Sequence, residues 1–380
     1  MKLDRLRVEN YRSLRSVDLE LGPLNLLIGA NASGKSNILN ALRFLAEGAR
    51  EKDFAPAVKS RGNIARLAWK GDEADHVSLW SYLDGGGASY EWSVRVDIDG
   101  LKYAITEDLR QIRTDQDRVS LLHSKRGSGW WRTSPGTETV KLALSPPTGC
   151  ALSAAAADES FPGRGVLESV NRWAFFDPSP IFLRRASFPD DEGDPRLDEA
   201  GRNLAGRLYA IREARPETFR RIVAATNYVL GVPQSVDLRR QELDGRIYFV
   251  QTEAGLSYPI HQLEASSGTL RMLALMTALL GEDEVALVGI EEPENYIHPN
   301  ALEAFASQLL IARKRVQIVI TTHSPLLLTY LNEPEAVCVV RRGEGGTEVE
   351  REPNPAAVRK ALDASGFGLG AFYESKGFGG

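Results

Sequence analysis

"LNLLIGANASGKSNILNAL", residues 24–42, is the stretch on which the reading of the fold turns. It opens as a short apolar strand and ends with Ile38, Leu39 and Leu42 at helical spacing, continued by Phe44 and Leu45, with Gly48 as the expected stop. Between the two, Gly29 to Ser36 read "GANASGKS" and fit G-x-x-x-x-G-K-[ST], in the strand–loop–helix setting that this pattern requires. The chemistry dictates the spacing. Gly29 and Gly34 let successive backbone N–H groups turn inward onto phosphate oxygens, and the helix N-terminus adds partial positive charge. Lys35 then reaches the terminal phosphates and Ser36 ligates Mg²⁺. Asn31, Ser33 and Asn37 complete the candidate nucleotide contacts.

A phosphate loop of this kind needs a carboxylate on an adjacent strand for the metal and a group that positions the attacking water. "VGIEEPENYIHP", residues 288–299, ends an apolar strand on Glu291 and Glu292, with a third acid two residues later. Alone, two adjacent acids before Pro293 read as the start of a solvated loop. With the phosphate loop upstream, Glu291 is expected to face the metal and Glu292 the water, because at a strand end the backbone turns and neighbouring side chains can both reach one cleft. Mg²⁺ and Lys35 offset the repulsion between the two acids.

Two weaker signals flank the acids. "SSGTLRMLAL", residues 266–275, opens a helix with hydroxyls and a glycine, which alone is an N-cap and, in this company, a second helix end able to face an anion. "TTHSP", residues 321–325, ends the next strand on His323, where a sensor of the γ-phosphate belongs.

Outward from these motifs, residues 2 to 9 alternate as a strand. Residues 76 to 144 read as an antiparallel meander with Asp99-Gly100 at a hairpin turn. Residues 145 to 165, small and bearing Pro and Gly, read as a surface crossover. Helices are expected over 200 to 231 with a break near Pro216, then strands around 236 to 260 with a turn at Asp244-Gly245. A helix at 267–280, a strand at 285–290, a helix at 299–313, a strand at 316–321 and a helix after Pro325 then alternate, the order of a parallel sheet completed from both ends of the chain. The expected layout is an ATPase core from 1–60 plus 260–380, an inserted β-rich region at 61–150 and a helical lobe at 151–259.

With 380 residues and 43% apolar content the chain is long enough for a sizeable core. A net charge of −5, from 46 basic and 51 acidic residues, confines any nucleic-acid surface to a local patch. Candidate patches are Arg5, Arg7, Arg12 and Arg15, and Arg184-Arg185 near Phe182, each also readable as an ordinary solvated face. Cys150 and Cys338 form neither a CxxC nor a Cys/His cluster, so no disulfide framework or structural zinc site is expected. The charged N-terminus and the lack of a long apolar run point to a cytoplasmic protein without a membrane span.

Taken in order, these elements resemble the ABC-type ATPases of the SMC and RecF kind, and most closely the OLD-like AAA ATPases of bacteria. The resemblance rests on "LRVENYRSLRSVDLELGPLNLLIGANASGKSNILNAL", "SSGTLRMLAL", "IEEPENYIHP" and "TTHSP". It implies an α/β P-loop NTPase head of ABC type, with a mixed or parallel sheet, an inserted antiparallel β region and a helical lobe. It further implies a homodimer or higher homo-oligomer in which Ser266, Ser267 and Gly268 contact ATP held by the partner, with Arg12 also near the nucleotide. ATP and Mg²⁺ are the implied ligands. DNA, or a separate effector such as a nuclease, is the implied partner, in bacterial genome maintenance or phage defence; a nucleotide-gated protein scaffold is the alternative. The signature is degenerate, Ala265-Ser266-Ser267-Gly268-Thr269, and Glu291 stands where an aspartate is usual. Only 57 residues follow His323, too few for the Toprim nuclease domain of OLD nucleases, so no cutting of DNA by the chain alone is expected. The acidic stretch 189–199 reads as a solvated loop.

Overall fold

A computed structural model describes residues 1–69, 74–113, 117–134, 136–189, 196–253, 255–281 and 285–375. The chain divides into two compact units, built mainly of Met1–Trp173 with Glu335–Asn354 and of Ala174–Pro334 with Pro355–Gly377.

In the first unit an eight-stranded antiparallel sheet begins with Lys2–Tyr11 and Leu14–Glu20 and continues through the meander from His76–Asp84 to Val140–Ala143. The strands read as an insertion therefore pair in one sheet with the first strand of the chain, His76–Asp84 running antiparallel to Lys2–Tyr11. Their alternation buries Leu6, Val8, Leu79, Trp92 and Val94 on one face and leaves Arg5, Arg7 and Arg95 on the other. Beside this sheet the apolar strand Leu24–Ile28 runs parallel to Val337–Gly343, with Leu27 opposite Cys338. Val337–Gly343 in turn pairs antiparallel with Gly346–Arg351. Here a strand from near the N-terminus is joined by one from near the C-terminus, as the element order predicts.

Two expectations fail in this unit, each for a packing reason. The helix Lys35–Arg50 runs through Gly48, whose missing side chain admits the Phe54 ring: a Cβ there would stand 2.1 Å from Phe54 Cδ1. Residues 145 to 165 are not a surface crossover throughout, because Ala151–Ala155 and Arg164–Asn171 are helical and Ala151, Leu152, Ala155 and Phe161 are buried. Glu107 anchors this segment. Its buried carboxylate accepts from Trp92 Nε1 (2.8 Å) and from the first amides of the helix, Ala151 N (2.6 Å) and Leu152 N (2.9 Å).

In the second unit Leu204–Ala214 and Pro216–Leu230 form the helical pair broken at Pro216. Gln234–Arg240 and Ile247–Glu253 form the hairpin around Asp244-Gly245. The helix Ser267–Leu280, buried along most of its length, precedes the strand Leu287–Glu291, which pairs in parallel with Gln317–Thr322 in a register that sets Glu291 opposite Thr321. Leu302–Ala312 is the crossover helix and Pro325–Leu331 follows the second strand. The helix Leu369–Ser375, unforeseen in the sequence, packs Gly370 onto the backbone of Pro325. Among the described residues no helix is long and apolar enough to cross a membrane. Both cysteines are free and buried. Asp190 and Asp191, in the acidic stretch, lie outside the described residues.

Candidate nucleotide site

The phosphate loop, in the first unit, is shaped by its two glycines. Gly29 and Gly34 have φ of 153° and 114°, a region that side chains rarely adopt. Neither has room for one. A Cβ at Gly29 would stand 2.0 Å from the carbonyl oxygen of Val340, and one at Gly34 would stand 2.1 Å from Thr347 Oγ1. The loop is thus pressed from behind by the strand Val337–Gly343 and by its antiparallel partner Gly346–Arg351. Lys35, 6% exposed, turns its ammonium back into the loop, where Nζ donates to the carbonyls of Gly29 (2.8 Å) and Ala30 (2.9 Å). Gly34 is the N-cap of the helix and makes no side-chain cap bond, so the cap itself leaves the positive end of the helix to other partners.

The other predicted residues divide around the loop. Asn31 and Ser36 are exposed, whereas Ser33 is 3% exposed with an Oγ that has no hydrogen-bond partner. Asn37 turns behind the loop, donating from Nδ2 to Ser13 Oγ (2.8 Å). Arg12 lies in the adjoining turn with a left-handed φ of 49°, its amide bonded to Leu67 O (2.8 Å) and its buried Nε without a partner.

The acids, in the second unit, sit where the sequence puts them. Glu292 has φ of 41°, so the alternation of the strand breaks between the two acids. Contacts with the neighbouring turns hold this one. Glu292 N donates to Thr321 O (3.0 Å), Asn295 Nδ2 donates to Glu292 Oε2 (2.8 Å), and His323 Nδ1 lies 3.5 Å from Glu292 Oε1. Glu294, visible in the sequence only as a third acid, accepts at Oε1 from Thr322 Oγ1 (2.7 Å) and the His323 amide (3.2 Å), and so ties the acid turn to the histidine turn.

In the same unit Ser266 caps the following helix, its Oγ accepting from Thr269 N (3.0 Å). The hydroxyl therefore performs the capping role that the sequence alone suggested. Ser267 Oγ lies 3.5 Å from Arg184 Nη2, which also donates to Ala265 O (3.0 Å). A Cβ at Gly268 would come within 2.8 Å of Tyr296 O. One turn on, Arg271, 2% exposed, donates from Nη2 to the carbonyls of Glu291 and Glu292 (2.9 Å each) and bonds Pro178 O through Nη1. Burial draws its guanidinium below the usual arginine range, against the opposing pull of Asp177. Sequence reading missed Arg271, which looks in the helix pattern like a solvated position.

A family model described as "AAA domain, putative AbiEii toxin, Type IV TA system" (AAA_21) matches residues 24–329, a span holding the phosphate loop, the double acid and His323. The chain belongs to this family. It is similar to the "OLD nuclease" of Thermus scotoductus, 25% identical over 371 residues, across 90% of this chain and 62% of that protein. It is also similar to the "DNA replication and repair protein RecF" of Actinobacillus pleuropneumoniae, 47% identical over 97 residues, a quarter of this chain and 24% of that one. The chain thus spans less than two thirds of the length of these curated relatives. Among solved structures an Smc head bound to the C-winged helix domain of ScpA aligns over 92% of this chain and 97% of its own, with a TM-score of 0.54 and 15% identity. The Smc head of Pyrococcus furiosus aligns over 96% and 99%, with a TM-score of 0.54 and 12% identity. With its AAA domain, the chain has the α/β fold of the Smc head domains, the fold of an ABC-type head.

Proposed function

We propose that the chain is a Mg²⁺-dependent ATP hydrolase whose subunits close head-to-tail over two ATP molecules. The observation that supports this most is the phosphate loop: two glycines with no room for a side chain, an uncapped helix start, and a buried ammonium turned into the loop. Lys35 neutralises the terminal phosphates and the amides of the loop orient them. Ser36 and Glu291 are hard oxygen donors suited to Mg²⁺, which takes one or two protein ligands beside phosphate oxygens and water. A Mg²⁺ ion held there would supply positive charge against the negative charge of the phosphates. Glu292 orients and deprotonates the attacking water, and His323 reads the γ-phosphate beside it. Ser267 and Gly268 contribute from the partner subunit, so hydrolysis reports closure.

The output of closure, in this reading, is action on DNA or on a separate effector such as a nuclease in the bacterial cytoplasm, in keeping with the names of the RecF and OLD relatives. One observation favours a nucleotide-gated protein scaffold instead. Two of the candidate basic residues are already paired, Arg5 with Asp18 and Arg7 with Glu9, which weakens that face as a phosphate surface. Measuring ATP hydrolysis with and without duplex DNA across a salt series, with Lys35→Ala as control, tests both readings. Turnover that collapses in Lys35→Ala and rises with DNA in a salt-sensitive way supports the DNA reading. DNA-indifferent turnover supports the scaffold, and turnover that survives Lys35→Ala contradicts both.

A further inference from the structure

Behind the phosphate loop, four side chains and backbone groups that lie far apart in sequence form one chain of hydrogen bonds. Asn37 Nδ2 donates to Ser13 Oγ (2.8 Å), Ser13 Oγ lies 2.7 Å from Thr347 Oγ1, and Thr347 Oγ1 donates to the carbonyl of Ser33 (2.9 Å). The proton order follows from the two ends. An amide N–H can only donate and a carbonyl can only accept, so the Ser13 hydroxyl gives its proton to Thr347 and the Thr347 hydroxyl gives its own to Ser33. A backbone bond from Thr347 N to Ser13 O (2.8 Å) fixes the two hydroxyl-bearing segments to each other. Thr347 is 3% exposed and 314 residues from Ser33, in the strand Gly346–Arg351, the second arm of its hairpin.

We propose that this relay makes Thr347 and Ser13 positioning residues for the nucleotide, acting through the Ser33–Gly34 peptide; it rests on the reading of the loop as an ATP site. That peptide is trans, so its C=O and N–H point in opposite directions. Holding the Ser33 carbonyl against the hairpin therefore turns the Gly34 N–H toward the open side of the loop, where phosphate oxygens are to be bound. Gly34 has no side chain to resist rotation, and its φ of 114° belongs to a broad glycine region, so an external hold is what singles out one orientation. The Thr347 methyl and hydroxyl also occupy the space that a Cβ at Gly34 would fill, leaving the peptide no room to retreat.

Comparing Thr347→Ala with Thr347→Ser isolates the hydroxyl, because both lose the methyl and only serine keeps the donor. Equilibrium binding of a fluorescent ATP analogue is the readout, with thermal melting alongside and Lys35→Ala as control. Thr347→Ala is expected to weaken nucleotide binding roughly five- to tenfold, about the worth of one buried hydrogen bond, and Thr347→Ser to restore it to within about twofold. Ser13→Ala, which leaves the Thr347 donor in place, is expected to give a smaller loss and covers the case in which Thr347→Ala does not fold. Equal affinities for the alanine and serine variants at 347, or for wild type and Ser13→Ala should Thr347→Ala not fold, overturn the relay while loss of binding in Lys35→Ala leaves the ATP reading standing. Native affinity in Lys35→Ala removes that reading and the relay with it.

Discussion

His323 Nδ1 stands 3.5 Å from Glu292 Oε1, with the two residues extending neighbouring parallel strands just past their ends. The Glu294 carboxylate, bonded to the His323 amide and to Thr322 Oγ1, keeps the two turns in step. A histidine so placed touches the acid we assign to the water and, in the proposed reaction, the γ-phosphate. His323→Ala should therefore lower turnover by roughly tenfold or more while ATP affinity changes little. Paired measurements of kcat and of equilibrium ATP binding check this, and a variant that loses affinity but keeps kcat would move His323 out of the reacting centre.

Arg271 bonds the carbonyls of both acids from the helix that opens at Ser266 and Ser267. Its removal leaves two partly buried carbonyls and the left-handed turn at Glu292 without their charged partner. Arg271→Met should cost about 2–4 kcal/mol in stability and lower turnover as well, with Arg271→Lys recovering part of both. Thermal melting and steady-state kinetics measure the two effects. A melting temperature equal to wild type contradicts the anchoring role.

Much of this site is legible in the sequence because its chemistry is local. The spacing of Gly29, Gly34 and Lys35, and the adjacency of Glu291 and Glu292, follow from what a phosphate loop and a strand end require. Thr347 carries no such mark: a threonine in a hairpin becomes a brace only because two parallel strands, Leu24–Ile28 and Val337–Gly343, bring that hairpin behind the loop. Gly48 misled as a helix stop because its role is to admit Phe54, a tertiary contact that overrides propensity. The small-residue segment after Ser145 looked like a crossover for the same reason, since it is Glu107 in a distant strand that anchors its helix.

Glu107 also sets a pH dependence. Burial pushes its carboxyl from the usual 4.5 up to about 7, although Trp92 and the amides of Ala151 and Leu152 donate to it. The folded protein therefore retains a proton that the unfolded chain gives up near the ordinary carboxyl value. The stability from this group is fully present below about pH 4.5 and is lost as pH rises through about 7. Glu107→Gln cannot titrate, so between about pH 5 and about pH 8 wild type should lose stability relative to the variant, by up to about 3 kcal/mol. Denaturant unfolding of both proteins across that range checks the prediction, and a gap that does not change with pH contradicts it.

Shared sites can be tested by mixing subunits. Gly268 is a poor place for a lesion because any side chain meets Tyr296 O, whereas Ser267 is half-buried and already bears a side chain, and an aspartate there would repel phosphate. Lys35→Ala and Ser267→Asp homodimers should each be inactive, while their mixture should regain up to about half of the wild-type activity per mixed dimer, since one of its two sites carries neither lesion. Mixed dimers that form and stay inactive argue against head-to-tail closure.

The most direct measurement compares wild type with Glu292→Gln for ATP binding, ATP-dependent dimer formation and single-turnover hydrolysis in one buffer with Mg²⁺. The amide keeps the shape and the acceptor oxygen of the carboxylate but cannot take the proton from water. ATP should bind with near-native affinity, dimers should accumulate, and hydrolysis should slow by about a hundredfold or more. Glu291→Gln should instead raise the Mg²⁺ concentration needed for activity. Wild-type hydrolysis by Glu292→Gln, or the same response from the two variants, would contradict the assignment of water to one acid and metal to the other.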